Sequence, residues 1–485
     1  MNVPLAAVAI RARRASVVGT ALIAAAALAA GCGSDGGTGT SASTSTSGSA
    51  AAGGPPVTKP ADWGPAPPGG WITDFVRYVH GGSRDAVRGK ANPDLAPVVI
   101  GYSSNDSGGS VTPVGAEATA GVEAAVKWIN AYAGGINGHP LELKKCEILN
   151  AEEEGLQCGQ KFLNDPAVKM ITYGALAVGA QTINNIVKGE KVTIMGFSAD
   201  AANATAKNVF SLFTAGGFAH YPIGNWAKEQ LGAKACAVST PDAPGSTLDA
   251  NGIKIGCEAA GLATKAVAYN PTSQDLTAAL TAAGSASGDT VTIAWPTTAA
   301  QCIATAKGLS ALNVDPRKVI WSPSCINPEA KSQYPGGTYP DYYVMNAQSG
   351  DALINSPTGQ AYFKALKQVG QEKMYNDPWW SGMWGQMLTI GQFLNEIGAD
   401  KISNETILDH LKTWRGPLVL GAFQTECGKY PFYPGSCADG NWYFQPLGDG
   451  LYRRISGFVQ PAPALVDALK DLPLGSSQPT SWPFK

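Results

Sequence analysis

Of the side chains able to form covalent links, the nine cysteines carry the clearest pattern. Cys32 stands apart, at the end of an apolar N-terminal run. The other eight, Cys146, Cys158, Cys236, Cys257, Cys302, Cys325, Cys427 and Cys437, fall into neighbouring couples along the chain. An even set of thiols in an exported protein pairs, so the sequence predicts four local bridges: Cys146 to Cys158, Cys236 to Cys257, Cys302 to Cys325 and Cys427 to Cys437. Closing loops of this size stabilises a fold by about 3 kcal/mol each in the chain-entropy picture. A zinc site is the competing chemistry, and it lacks its pattern: no CxxC occurs, and His80, His139, His220 and His410 are scattered singly. The sequence implies no metal.

Familiar catalytic arrangements are missing as well. The stretch Gly196-Phe197-Ser198-Ala199-Asp200 ends in Asp where a nucleophile elbow needs Gly, and neither HExxH nor a P-loop occurs. Glu152, Glu153 and Glu154 open a helical stretch, where acidic residues favour the N-terminal dipole. No nucleophile is left with a base beside it, so the expectation is no catalytic residue and no cofactor. The 35 basic and 37 acidic residues nearly cancel to a formal charge of −2, which excludes a global field drawing the chain to nucleic acid or to an anionic membrane surface. With 44% hydrophobic residues, a chain of 485 can bury a large core.

The N-terminus carries addressing information. Arg11, Arg13 and Arg14 precede an apolar run from Val17 to Ala30, too short for a comfortable membrane span, which reads as a secretory signal peptide over residues 1–31. Ala29-Ala30-Gly31-Cys32 resembles the lipobox of bacterial lipoproteins, with Ala29 where Leu is usual. The resemblance implies that the Cys32 thiol is acylated and that the chain is exported and held to the outer face of the cell membrane by lipid alone. From Gly33 to Gly54 almost every residue is Gly, Ser, Thr or Ala, a composition that behaves as a flexible tether.

The elements that must position any site begin at Pro97. Short β-rich runs alternate with helical patterns from there on, the signature of parallel α/β layers, and two sheets account for the series better than one. The predicted strands include 97–102, "LELKKCEIL", 168–173, 191–197, 234–239, 265–269, 290–295, 318–322 and 342–346. Predicted helices include 116–133, with Ala118, Val122, Ala125, Val126 and Ile129 on its buried face, then 152–164, 179–188, 218–231 and about 380–397. Residues 441–456 read as a hairpin. Before the first strand, "WITDFVRYVHGG" forms a small helix whose Trp71, Phe75 and Tyr78 cover a lobe surface or dock a partner. Residues 461–485 read as a surface tail.

The stretch "GAEATAGVEAAVKWINAYAGGINGHPLEL", with the strand order around it, resembles the type I extracytoplasmic solute-binding proteins of ABC importers, the leucine/isoleucine/valine-binding family, over Pro97 to about Gly457. The resemblance implies two Rossmann-like lobes joined by three chain crossings, near Phe213 to Gly217, Pro340 to Ala347 and Gly416 to Gln424. It divides the chain into a signal peptide (1–31), a lipidated cysteine and tether (32–60), an N-terminal extension (61–96), a first lobe (97–214 with 342–420), a second lobe (215–341 with 421–460) and a tail (461–485). It further implies a monomer that captures a small organic solute between closing lobes and works with permease and ATPase subunits. A ligand-sensing receptor domain and a secreted hydrolase are the alternative readings.

By register with that family, the solute would meet loops carrying Asn105, Ala177, Val178, Ser198, Asp200, Phe218, Trp295, Ser324 and Trp384. Amino-acid-binding members hold the carboxylate with Ser or Thr where this chain has Ala177 and Val178. They carry Thr where it has Asp200, and an acidic residue for the ammonium group where it has Ser324. A buried charge lacking its partner costs several kcal/mol, which argues against a free branched-chain amino acid. Asp200 either faces the cleft or caps a short turn beginning at Ala201. Trp295, Trp379, Trp380 and Trp384 lie in or beside the aligned loops, and an apolar or aromatic solute suits them: burying about 100 Å² at ~25 cal/mol/Å² supplies roughly 2.5 kcal/mol. The indoles of Trp379 and Trp380 equally suit a lobe core. Peptide mapping under non-reducing conditions is expected to join Cys146 to Cys158; any other partner for Cys146 overturns the local pairing.

Overall fold

The computed structural model describes residues 59–106, 115–149, 151–176, 178–196, 206–214, 219–242, 244–322, 325, 328–337, 339–346, 354–431, 433–448, 451–462 and 465–467. Cys32, the signal peptide and nearly all of the tether lie outside them, as do Ala177, Ser198, Asp200, Phe218 and Ser324.

Two sheets organise the chain. The first contains β1 (Val98–Ser104), β2 (Leu141–Glu147), β3 (Val168–Tyr173), β4 (Thr193–Met195), β5 (Val209–Thr214) and, from far downstream, β11 (Ser436–Ala438). Their order is β11-β5-β4-β3-β1-β2, and every pairing is parallel. The second contains β6 (Ala235–Pro241), β7 (Ala263–Tyr269), β8 (Thr290–Ala294), β9 (Val319–Trp321), β10 (Tyr342–Asn346), β12 (Asn441–Gly448) and β13 (Leu451–Arg454). Its order is β13-β12-β10-β9-β8-β6-β7, parallel from β7 to β10 and antiparallel in the β10-β12-β13 edge.

The helices are α1 (Phe75–Val79), α2 (Gly115–Tyr132), α3 (Glu152–Leu163), α4 (Ala180–Val187), α5 (Pro222–Leu231), α6 (Pro244–Ala259), α7 (Thr277–Ala283), α8 (Ala299–Ala311), α9 (Pro328–Ser332), α10 (Pro357–Val369), α11 (Pro378–Ile397) and α12 (Asn404–Thr413). None is long and apolar enough to cross a membrane. The longest, α11, is buried on nearly every face from Trp380 to Asn395. It packs against α2 through Gly121, where an added Cβ would stand 2.6 Å from the Trp380 carbonyl oxygen, so no larger residue permits that approach.

Strand pairing corrects two of the expected boundaries. Tyr342–Asn346 was assigned to the first lobe, yet Tyr342 and Tyr343 pair with Ile320 and Trp321 in the second sheet, so the second crossing follows Asn346. Ser436–Ala438 was assigned to the second lobe, but it extends the first sheet beside β5, and β12 then opens in the second sheet. The third crossing is therefore Asp439-Gly440, not Gly416 to Gln424. A strand's sheet is fixed by its partner and not by its own residues, and β11, a three-residue edge strand, is also too short for its periodicity to be read. The tail is corrected as well, since Leu465 is buried with Tyr430 and Tyr433.

All four expected disulfides form, with Cα separations of 5.6, 6.5, 5.2 and 4.0 Å in chain order. The first two each tie a strand to the helix that follows it, β2 to α3 and β6 to α6.

The N-terminal extension does more than cover a surface. Its upstream part lies on the second sheet's edge, where the buried Arg454 guanidinium donates to the Pro65 carbonyl oxygen at 2.6 Å and stands 4.6 Å from the Trp442 ring, 5.3 Å from Phe423 and 5.9 Å from Trp71. Its downstream part enters the first lobe: the Ile72 amide donates to Thr358 Oγ1 at 3.1 Å, Phe75 meets Trp128 edge-on at 6.2 Å, and the Tyr78 hydroxyl donates to the Pro417 carbonyl oxygen at 2.8 Å. Asp74 caps the intervening turn by accepting from the Arg77 amide at 3.1 Å. The extension thus spans both sheets' outer layers. Replacing Phe75 with Ala is expected to lower unfolding free energy by about 3 kcal/mol, measured by denaturant titration; a change near zero would remove the extension from the core.

Candidate functional site

In an open parallel sheet the helices rise from the carboxyl ends of the strands, and ligands bind there against backbone N–H groups and side chains of the connecting loops. Both sheets present such an edge.

On the first sheet, the polar side chains at the end of β1 and just after it bond to neighbouring backbone. Ser103 Oγ donates to the Cys146 carbonyl oxygen at 2.7 Å, and Ser104 Oγ to that of Ala175 at 3.2 Å. Asn105, expected to touch solute, is fully buried; its Nδ2 donates to the Ile148 carbonyl oxygen at 2.8 Å and its amide to that of Ala175 at 3.1 Å. Those bonds make Asn105 a clamp joining the loops after β1, β2 and β3. Val178 is half-buried and packs against the apolar cluster around Ile148 and Leu176.

The tryptophans separate into two groups. Trp384, expected to line a cleft, has no exposed surface and stands 6.1 Å from the Trp128 ring and 5.6 Å from Tyr362 in the first lobe's core. Trp380 is buried in the same core, and Trp379 is half-buried. The helical spacing of α11 explains the difference: a helix wrapped on all sides by its lobe turns residues three and four apart into core whatever their resemblance to a binding loop. Asp377 caps this helix, accepting from the Trp379 and Trp380 amides at 2.9 and 3.0 Å. Burial pushes its carboxyl above the usual range against the pull of those two bonds.

Trp295 stands at the opposite sheet's carboxyl edge. It follows β8 directly, its amide donates to the Ser239 carbonyl oxygen of β6 at 2.9 Å, and its ring is met edge-on by His220 at 4.6 Å. His220 Nε2 lies 2.8 Å from Asp249 Oδ1 on α6. This imidazole is one of the four histidines that the sequence shows scattered singly; only its position between β5 and Pro222 marks it. A cavity of about 210 Å³ lies elsewhere, at the third crossing, lined by Arg415, Glu426, Lys429, Tyr430 and Asp439 among others. There Asp439, on the crossing itself, accepts from Lys429 Nζ at 2.7 Å, from the Tyr430 hydroxyl, and from Gln460 Nε2 at 2.6 Å.

Two mostly parallel α/β sheets, joined by three crossings and each opening a loop-lined carboxyl edge, define the two-lobed class of solute-binding proteins. A family model described as periplasmic binding protein matches residues 97–428, and the chain belongs to that family, one of solute-binding proteins and not of enzymes. It has the type I fold. Among solved structures it is similar to a leucine binding protein, LivK, from Thermotoga maritima MSB8 (15% identity, TM-score 0.58, covering 75% of this chain and 99% of that one). It is similar to a fatty acid ABC transporter substrate-binding protein from Thermomonospora curvata (13%, 0.62, 79% and 96%). A third similar structure is an ABC transporter solute binding protein from R. palustris in complex with 4-hydroxybenzoate (13%, 0.58, 76% and 100%). No curated protein matches the sequence.

Because Trp384 is core, its replacement with Ala is expected to cost about 4 kcal/mol of stability, readable by thermal or chemical denaturation. A variant as stable as the parent would contradict the packing described.

Proposed function

We propose that this protein is the substrate-binding lipoprotein of an ABC importer. It is exported, held to the outer face of the cell membrane by an acylated Cys32 and its tether, and it captures a small organic solute between two closing lobes. The closed form is presented to permease and ATPase subunits by a monomer, without catalysis. The observation that carries the ligand class is Trp295, an indole only 8% exposed at the carboxyl edge of the second sheet, beside a buried His–Asp pair. An aromatic wall of this kind favours an apolar or aromatic solute with a polar handle over a free amino acid. Ala177 and Val178 stand where amino-acid binders place a hydroxyl, and Ser324 where they place an acidic residue, which supports the same reading. So does the range of solutes named for structures of this fold, which includes benzoate and 4-hydroxybenzoate as well as leucine and isoleucine.

Titration calorimetry of the purified protein against benzoates, medium-chain fatty acids and branched-chain amino acids tests it. Saturable one-to-one binding of an aromatic or fatty acid is expected. Replacing Trp295 with Ala should then weaken that binding by roughly 2 kcal/mol, about thirtyfold. Tight binding of leucine, or an affinity untouched by the Trp295 change, would overturn the assignment.

A further inference from the structure

His220 is 3% exposed, which for an imidazole demands that both ring nitrogens be accounted for. Nε2 is accounted for: it lies 2.8 Å from Asp249 Oδ1, and a carboxylate can only accept, so Nε2 carries the proton. In the Nε2–H tautomer Nδ1 is an acceptor, and among the described residues it has no hydrogen-bond partner although it is buried. A buried acceptor without a donor costs about 1–3 kcal/mol, a cost that a donor on a docked molecule would remove.

The ring's placement is fixed from three sides. His220 immediately precedes α5, and its carbonyl oxygen accepts from the Ile223 amide at 3.0 Å as that helix begins. Helix α5 lies so close on α6 that a Cβ at Gly224 would come 2.1 Å from the Gly256 carbonyl oxygen, which holds His220 and Asp249 in register. The third side is Trp295, edge-on to the imidazole with ring planes 77° apart. Trp295 is itself tied to the end of β6, so the His–Asp pair stands at the carboxyl edge of the adjacent strands β6 and β8. That edge is where an open parallel sheet takes its ligand.

We infer that His220 is the polar specificity residue of the site: through Nδ1 it accepts a hydrogen bond from a hydroxyl or N–H group of the solute whose apolar body packs on Trp295. This rests on the reading of the protein as a binder of apolar or aromatic solutes and adds a donor group to that class. Asp249 is then a positioning residue, holding the tautomer and the ring plane.

The three hydroxybenzoates, their O-methyl ethers and unsubstituted benzoate serve as probes, with affinities from calorimetry on the mature protein. The wild type is expected to bind at least one hydroxybenzoate tenfold or more tighter than both its ether and benzoate. His220→Gln keeps a donor for Asp249 at the Nε2 position but no acceptor at the Nδ1 position, and should abolish the preference, so that the hydroxybenzoate, its ether and benzoate bind within about twofold of one another. His220→Asn places an amide oxygen near Nδ1 and should keep part of the preference; it also serves if the Gln variant does not fold. Equal affinity of a hydroxybenzoate and its ether in the wild type, or a preference unaltered in either variant, overturns the role of His220 while leaving the aromatic-solute reading intact. Failure of every aromatic probe to bind overturns the role of His220, and the apolar-solute reading falls with it only if the medium-chain fatty acids also fail to bind.

Discussion

Both sheets are completed by strands borrowed from the far end of the chain, and that constraint organises everything else. β11 extends the first sheet and, only two residues later, β12 pairs with β10 in the second. The turn between them is held tightly. Asp439 is buried and bonded to Lys429, Tyr430 and Gln460, and a Cβ on Gly440 would come 2.5 Å from the Val459 carbonyl oxygen. A hinge at this point must bend through backbone held by hydrogen bonds on one side and by close packing on the other. Lobe closure in proteins of this architecture is a rotation about such crossings.

Rigidity within each half is supplied separately. The disulfides are all local, and two of them fasten a helix to the strand it follows, which keeps the carboxyl-edge loops in place without constraining the crossings. The N-terminal extension acts on a larger scale. Its contacts to Arg454 on one sheet's edge and to Thr389, Thr358 and Pro417 on the other half add a fourth connection between the two, made of side chains in place of a covalent crossing. It lies outside the residues matched by the family model.

The strand and helix alternation from Pro97 was legible because period-two and period-3.6 patterns are local, and α2, α3 and α11 lie within two residues of their expected ends. The cysteine pairing was legible for the same reason, since each bridge closes a short loop. β5 and β11 were not: "VFSLFT" is one short apolar run, and "SCA" is three residues whose strand character comes from β5 beside it. At the site, the position of Trp295 after β8 was readable from strand order. Asn105 and Trp384 sat at the aligned positions as well, but their contacts made one a loop clamp and the other core.

The amino-acid sequence alone determined the four couples of thiols and the parallel α/β class. Those are properties of residue type and of spacing over a few turns. Tertiary structure decided which sheet takes each late strand, where the chain crosses, which indoles become core, and that His220 meets Asp249 and Trp295, residues 29 and 75 positions away along the chain. Such outcomes depend on pairing partners and on burial from every side, which no local pattern encodes.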